Sequence, residues 1–298
     1  MQAVLSGLEW RSCFAYLDDI LIASRTFDDH LRHLREVFGR LREAGLRLKP
    51  KKCLILRNEV PYLGHVISTQ GIRPDPSKTE KVKLFPTPCD VTTLRQFVGL
   101  ASYYRRFVPG FAKIAAPLHA LTKKDVPFEW TSECETAFCK LKELLVTAPV
   151  LSYPRCGHDR EFILETDASG IGLGAVLSQK QDDGHVHPIA YASRSLNAHE
   201  KNYGISELET LRLVWAVRYF RPYLLGHYTI VYTDHSACLS LLNTPRPSGK
   251  LARWALTIQE MNLTLKHRSG RQNVNADALS RNPASSVSSV SPPNCVCM

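Results

Sequence analysis

Short apolar runs, then helical spacing, then strand-like runs again follow one another along this chain of 298 residues. Phe14 to Leu17 and Ile20 to Ala23 are brief, apolar and rich in aromatic or β-branched side chains, which predicts a hairpin turning at Asp18 and Asp19. Leu31, Leu34, Val37, Phe38 and Leu41 recur at helical spacing and predict a helix that stops at Gly45. Cys53 to Leu56 and Tyr62 to Ile67 read as strands, with Gly64 and Gly71 as turn or bulge signals. The segment PDPSK at 74–78 then breaks the pattern and sets a boundary near Arg73.

Asp90 is a good N-cap for VTTLRQFVGLASYYRRFV, predicted as one helix ended by Pro109 and Gly110. Leu94, Phe97, Val98, Ala101 and Tyr104 share its apolar face, and Arg95, Arg105 and Arg106 lie largely away from it. Those arginines fit either a solvated charged face or a helix that tracks a nucleic-acid backbone. From Glu161 the pattern becomes strand-rich: EFILETD, the glycine-rich IGLGAVLSQ and HPIAYASRSL are three predicted strands. A helix from about His199 to Tyr223, weakly interrupted at Gly204, leads to the strands YTIVYTD and LTLKHRS, with helical stretches around Leu239 and Trp254. Mixed strands and helices over this stretch predict one compact α/β domain. The tail PASSVSSVSPPNCVCM has a disordered composition, and no internal repeat is present.

Length and a hydrophobic content of 44% allow two domains of ordinary size. A net charge of +10, from 38 Lys and Arg against 28 Asp and Glu, points to a polyanionic partner. Between Leu31 and Arg57 nine basic residues, Lys51 and Lys52 among them, face only Glu36 and Glu43, which makes this run a candidate phosphate-facing surface. The nine cysteines are scattered without a CxxC, so neither a disulfide framework nor a zinc site is expected. Reduced thiols and an intracellular setting, cytoplasmic or nuclear, follow as the default. No apolar run approaches the roughly 20 residues that span a bilayer, and MQAVLSGLEW lacks the regions of a signal peptide, so neither a membrane partner nor secretion is expected.

Carboxylates at strand ends carry the candidate chemistry. ETDAS at 165–169 and YTDHS at 232–236 each place an aspartate, Asp167 and Asp234, where an apolar strand gives way to a turn. Glu209 stands inside the otherwise apolar ELETLRLVWA, and Asp277 stands in NVNADALSR. Each could cap a neighbouring element; together they could hold two divalent ions roughly 4 Å apart for in-line displacement at phosphorus. Helical geometry leaves Glu207 and Glu209 equivalent, because each shares a face with apolar neighbours. Asp18 and Asp19 likewise fit either a solvated turn or a pair of hard oxygen ligands.

YLDD at 16–19, YLGHVIS at 62–68, LRQFVGLASYYRRFVPGF at 94–111, ETDASGIGLGAVLSQ at 165–179, PIAYASRSL at 188–196, YTDH at 232–235 and NADALSR at 275–281 resemble the Pol polyprotein of Ty3/gypsy LTR retrotransposons, in that family's order. The resemblance implies an α/β (α+β) chain: the C-terminal part of a reverse transcriptase palm over 1–72, a helical thumb and linker over 73–160, a ribonuclease H domain with a five-stranded mixed sheet and flanking helices over 161–283, and a disordered tail over 284–298. It implies that Asp167, Glu209, Asp234 and Asp277 are the metal-binding carboxylates, with Glu209 chosen over Glu207 because the family's EKELLAIVWA pattern uses its second glutamate. Magnesium, with manganese as the alternative ion, is the implied cofactor, and an RNA–DNA hybrid or template-primer the implied partner, beside other segments of the polyprotein.

His267 lies ten residues before Asp277, where related retroviral domains carry a histidine that helps product leave and many gypsy-type elements carry an aromatic residue; a plain strand-end histidine is the alternative. Ser169 and Ser236 could orient ligands or cap helices and turns. Tyr16, Asp18 and Asp19 resemble the metal-binding motif of the polymerase palm, which also needs an upstream aspartate; before Asp18 the only acidic residue is Glu9. Primer extension is therefore not expected of this chain alone, and a partner supplying that aspartate would be needed. A catalytically silent nucleic-acid-binding module is the competing expectation for the whole chain.

Overall fold

The computed structural model describes residues 1–155, 157, 160–168, 172–233 and 249–267, with the backbone alone at Asp167 and Ala168. The helix expected around Leu239 and the tail 284–298 lie outside the described residues. The chain divides into two compact units, Met1–Thr69 and Gln70–Met298.

In the first unit β1 (Phe14–Tyr16) and β2 (Asp19–Leu21) pair antiparallel, with Tyr16 opposite Asp19. The turn is therefore Leu17–Asp18, with Leu17 at φ 54°, and Asp19 opens the second strand rather than sharing the turn as expected. Helix α1 (Phe27–Glu43) begins where Thr26 Oγ1 accepts the Asp29 N–H at 3.1 Å, and Gly45 at φ 69° follows its end. Leu5, Cys13, Val37 and Leu41 form the buried core.

Two strand expectations need correction here. Cys53 to Leu56 is not a strand: Pro50–Lys52 makes a 3-10 turn, and Leu54, Ile55 and Leu56 are exposed, so the apolar run has no face to bury. Tyr62 to Ile67 is split into β3 (Glu59–Tyr62) and β4 (His65–Ser68), an antiparallel hairpin with Tyr62 opposite His65. Leu63 at φ 49° and Gly64 at φ 72° supply the paired positive φ values of a primed hairpin turn.

The second unit opens with β5 (Gly71–Pro74), where Ile72 exchanges two 2.8 Å backbone hydrogen bonds with Leu151. Gly71 at φ 141° lies so close to the Leu151 carbonyl that a Cβ would collide with it. PDPSK ends the strand pattern at Pro74 and also starts a helix: Asp75 Oδ1 accepts the Ser77 N–H at 2.9 Å, and Pro76 takes the first position of α2 (Pro76–Lys83). Asp90 caps α3 (Val91–Tyr103) by accepting the Thr93 N–H at 2.6 Å. This helix ends before Pro109, because Arg105–Phe107 tighten into a 3-10 turn. Near-eclipsed side chains three apart then let Tyr104 and Phe107 enter the same core. Helices α4 (Phe111–Ile114), α5 (Ala116–Leu121) and α6 (Ser132–Val146) close this helical core around Leu94, Phe97, Phe138 and Leu141.

Residues beyond it build a five-stranded mixed sheet from β6 (Phe162–Ala168), β7 (Gly172–Lys180), β8 (Val186–Ser195), β9 (Thr229–Thr233) and β10 (Leu263–His267), in the order β10-β9-β6-β7-β8. β6, β7 and β8 run antiparallel in turn, whereas β6, β9 and β10 are parallel neighbours. Between β8 and β9 the chain makes a 3-10 turn at Glu200–Asn202 and then α7 (Ile205–Leu224), so Gly204 is the N-cap and not a weak point inside one longer helix. α7 packs against β6, β7 and α8 (Gly249–Gln259), and buries Leu211, Leu213, Val214, Ala216, Val217, Phe220 and Leu224.

Candidate functional site

Parallel pairing puts the carboxyl ends of β6, β9 and β10 on one edge of the sheet, the usual side for ligands in α/β sheets. Asp167 is the penultimate residue of β6, with its backbone opposite Gly174 of β7. Thr233 ends β9 opposite His267, the last residue of β10. Asp234 follows Thr233 directly in sequence. Asp234, Asp277, Ser169, Ser236 and the side chain of Asp167 lie outside the described residues. His267 is exposed at the end of its strand.

Glu209, on the second turn of α7, is linked to this edge through an arginine. Its side chain is 13% exposed, and its carboxylate forms an ion pair with Arg212 one turn later. Arg212 is 1% exposed, and its Nη2 donates to Thr233 Oγ1 at 3.2 Å, joining the helix to the end of β9. Arg212 was missed in the sequence, although a basic residue inside the apolar run LRLVWA, three positions after Glu209, is the signal that marks it. Glu207 has different company. It accepts the Gly204 N–H at 3.3 Å and the Lys250 ammonium at 2.8 Å, and the Lys250 hydrogen bond holds its carboxyl below the usual glutamate range. Lys250 Nζ also lies 3.7 Å from the centre of the Tyr203 ring, a cation–π contact that pins α8 to the start of α7.

The candidate ligands are all carboxylates, donors that suit a hard divalent ion. The place also accommodates positive charge, since the Arg212 guanidinium is buried beside Glu209. Among the described residues no group of three His, Cys, Asp or Glu side chains converges.

Tyr16, Asp18 and Asp19 are exposed on the β1–β2 hairpin, and Lys51 and Lys52 are exposed on the 3-10 turn of the same unit. Arg95 is exposed and donates to the Thr122 carbonyl at 3.1 Å. Arg105 donates to the Ser193 carbonyl of β8 and lies 5.8 Å from the centre of the Phe111 ring. Arg106 is half-buried with its guanidinium 5.8 Å from the centre of the Phe107 ring.

Residues 157–261 match the RNase H-like domain found in reverse transcriptase, and residues 1–67 match the reverse transcriptase (RNA-dependent DNA polymerase) family. The retrovirus-related Pol polyprotein from transposon 412 of Drosophila melanogaster is 41% identical over 281 residues, which cover 94% of this chain and 22% of that protein. The transposon Tf2-3 polyprotein of Schizosaccharomyces pombe (strain 972 / ATCC 24843) is 36% identical over 272 residues, covering 89% of this chain and 20% of that protein. The chain thus spans about a fifth of the length of these relatives. A foamy viral protease-reverse transcriptase solved in complex with double-stranded DNA matches with a TM-score of 0.74 at 26% identity, over 90% of this chain and 47% of that one. A foamy viral protease-reverse transcriptase in complex with RNA/DNA hybrid matches in fold, with a TM-score of 0.75 at 24% identity over 99% of this chain and 39% of that one. With a reverse transcriptase segment followed by an RNase H-like domain, the chain is similar over nearly all its length to one stretch of the Pol polyproteins of LTR retrotransposons.

Proposed function

We propose that this chain cuts the RNA strand of RNA–DNA hybrids endonucleolytically, through a site on residues 161–283, with residues 1–72 as palm and 73–160 as thumb and linker serving to bind the nucleic acid. The observation that carries the reading is the sheet edge where the end of β6, bearing Asp167, runs parallel to the end of β9, which Arg212 ties to Glu209. Asp167, Glu209, Asp234 and Asp277 would hold two divalent ions, magnesium or in its place manganese. When bound, those ions would supply an activated water and charge stabilisation at the leaving 3′ oxygen.

The chain's own residues do the positioning. Glu209 is fixed on a helix packed into the core, and Asp167 is fixed on the central strand, so both are held by rigid elements. RNA is told from DNA by contact with its 2′-hydroxyl. Lys51, Lys52 and Arg95, all exposed, are assigned to the backbone of the hybrid or template-primer. Arg105 and Arg106 add positive charge to the same helical segment, although the Arg105 guanidinium also supports β8. His267, exposed at the strand end, is assigned to product release.

Asp18 and Asp19 are assigned to a polymerase metal pair that needs a third aspartate. The 298 residues tested alone are expected not to extend a primer, and another Pol segment supplied in trans would be needed.

One observation favours a rival reading, a nucleic-acid-binding module without turnover: Glu209 already has a cation beside it. Cleavage of an end-labelled RNA–DNA hybrid with Mg²⁺, beside Asp234→Asn and an EDTA control, separates the two. Metal-dependent cutting abolished by the substitution supports the nuclease. A folded chain that binds the hybrid and never cuts it supports the silent module.

A further inference from the structure

Among the described residues Arg212 is the most deeply buried charged side chain, at 1% exposure. Burying a charge is costly unless it is paired and hydrogen-bonded, and a guanidinium cannot shed its proton to escape that cost. Here the charge is met by the Glu209 carboxylate on the same helix and by Thr233 Oγ1 at 3.2 Å. Both contacts are made by one nitrogen, Nη2, which therefore sits between the helix and the end of β9. An arginine serving packing alone would gain more from an apolar replacement in this environment.

We propose that Arg212 is a positioning residue that acts as the built-in counter-ion of Glu209, holding the carboxylate in place in the metal-free protein and weakening the site's hold on divalent ions. The inference rests on the nuclease reading above, because it takes Glu209 as a metal ligand. A fixed positive charge a few ångströms from the ligand repels an incoming cation, and removing it strengthens cation binding. A merely structural arginine has the opposite signature, since its loss would loosen the site and weaken binding.

The test compares the full chain with Arg212→Gln and Asp234→Asn, reading Mn²⁺ binding by electron paramagnetic resonance or calorimetry, and thermal melting in EDTA and in Mn²⁺. Arg212→Gln is expected to bind Mn²⁺ roughly tenfold more tightly. Its melting temperature should fall by several degrees in EDTA and return when Mn²⁺ is added. If Arg212→Gln does not fold in EDTA, folding on addition of Mn²⁺ but not of NaCl at equal ionic strength supports the proposal, and failure to fold in either overturns it. A folded Arg212→Gln that binds Mn²⁺ no more tightly than wild type also overturns it, and leaves the nuclease reading standing. If wild type and Asp234→Asn bind Mn²⁺ alike, the metal reading itself falls and the role of Arg212 falls with it.

Discussion

Asp18 and Asp19 stand exposed on a two-stranded hairpin, whereas Asp167 stands on the central strand of five and Glu209 on a helix buried around most of its circumference. The hairpin's unit has a small buried core of Leu5, Cys13, Val37 and Leu41; the sheet and α7 share a core that runs from Phe162 to Met261. Ligand geometry is only as exact as the elements beneath it. One carboxylate pair is therefore displayed, and the other is held.

The sharpest way to break the comparison is to neutralise one member of each group. Asp234→Asn is expected to lower hybrid cleavage by about three orders of magnitude, the several kcal/mol a metal-held site contributes. Asp18→Asn should leave the cleavage rate within about twofold of wild type. Equal losses would mean that the hairpin takes part in cutting.

Packing gives the next contrast. Phe220, fully buried on α7, should cost about 3–5 kcal/mol when cut to Ala, and cleavage should fail at a correspondingly lower temperature. Leu41→Ala should cost about 2–5 kcal/mol in the first unit and leave the thermal limit of cleavage where it was. Melting followed alongside hybrid cleavage distinguishes the two.

A smaller effect depends on pH. Glu200 receives both terminal nitrogens of Arg194, at 2.6 and 2.9 Å, and the Asn197 N–H, and the Arg194 hydrogen bond is the main reason its carboxyl lies below the usual 4.5. Because the folded value is lowered, the stabilisation is present above 4.5 and is lost as pH falls through the folded value. Glu200→Gln should therefore cost about 1–3 kcal/mol at neutral pH, with the gap from wild type closing in acid. A gap that stays constant down to strongly acidic pH would remove the ion pair from the account.

The smallest effect is electrostatic. Hybrid affinity should fall linearly on logarithmic axes as salt rises, and Lys51→Gln and Lys52→Gln should each reduce that slope by about 0.9 if each contacts one phosphate. Slopes unchanged in both variants would take this turn out of the binding surface.

Much of the fold was legible where side-chain pattern and backbone signal coincide. Asp90 announces α3 through its capping oxygen, and the runs EFILETD, IGLGAVLSQ and HPIAYASRSL announce β6, β7 and β8. Misreadings fall where one residue type serves two ends. Asp75 and Pro76 were read as a break, although the same pair opens a helix. Gly204 was placed inside a helix that it in fact caps, and Leu63 adopts a positive φ that no side-chain pattern betrays. At the site, Glu209 and Glu207 could not be separated by spacing. Contacts with residues distant in sequence separate them: Lys250 bonds Glu207, and Thr233 of β9 bonds the Arg212 that pairs with Glu209. Those tertiary partners are what a helical wheel cannot contain.

The outer strand β8 has a further consequence for anyone dividing the molecule. Its exposed side would be a row of open backbone groups, yet Ser152 N–H donates to the Pro188 carbonyl at 2.9 Å, Arg105 donates to the Ser193 carbonyl, and Ala112 N–H donates to Ser193 Oγ at 2.9 Å. The helical segment thereby acts as a selvedge that stops the sheet from unravelling into pairing with a stranger. An RNase H-like domain trimmed at Glu161 would lose that border and present a sticky strand, so its solubility would depend on residues outside it.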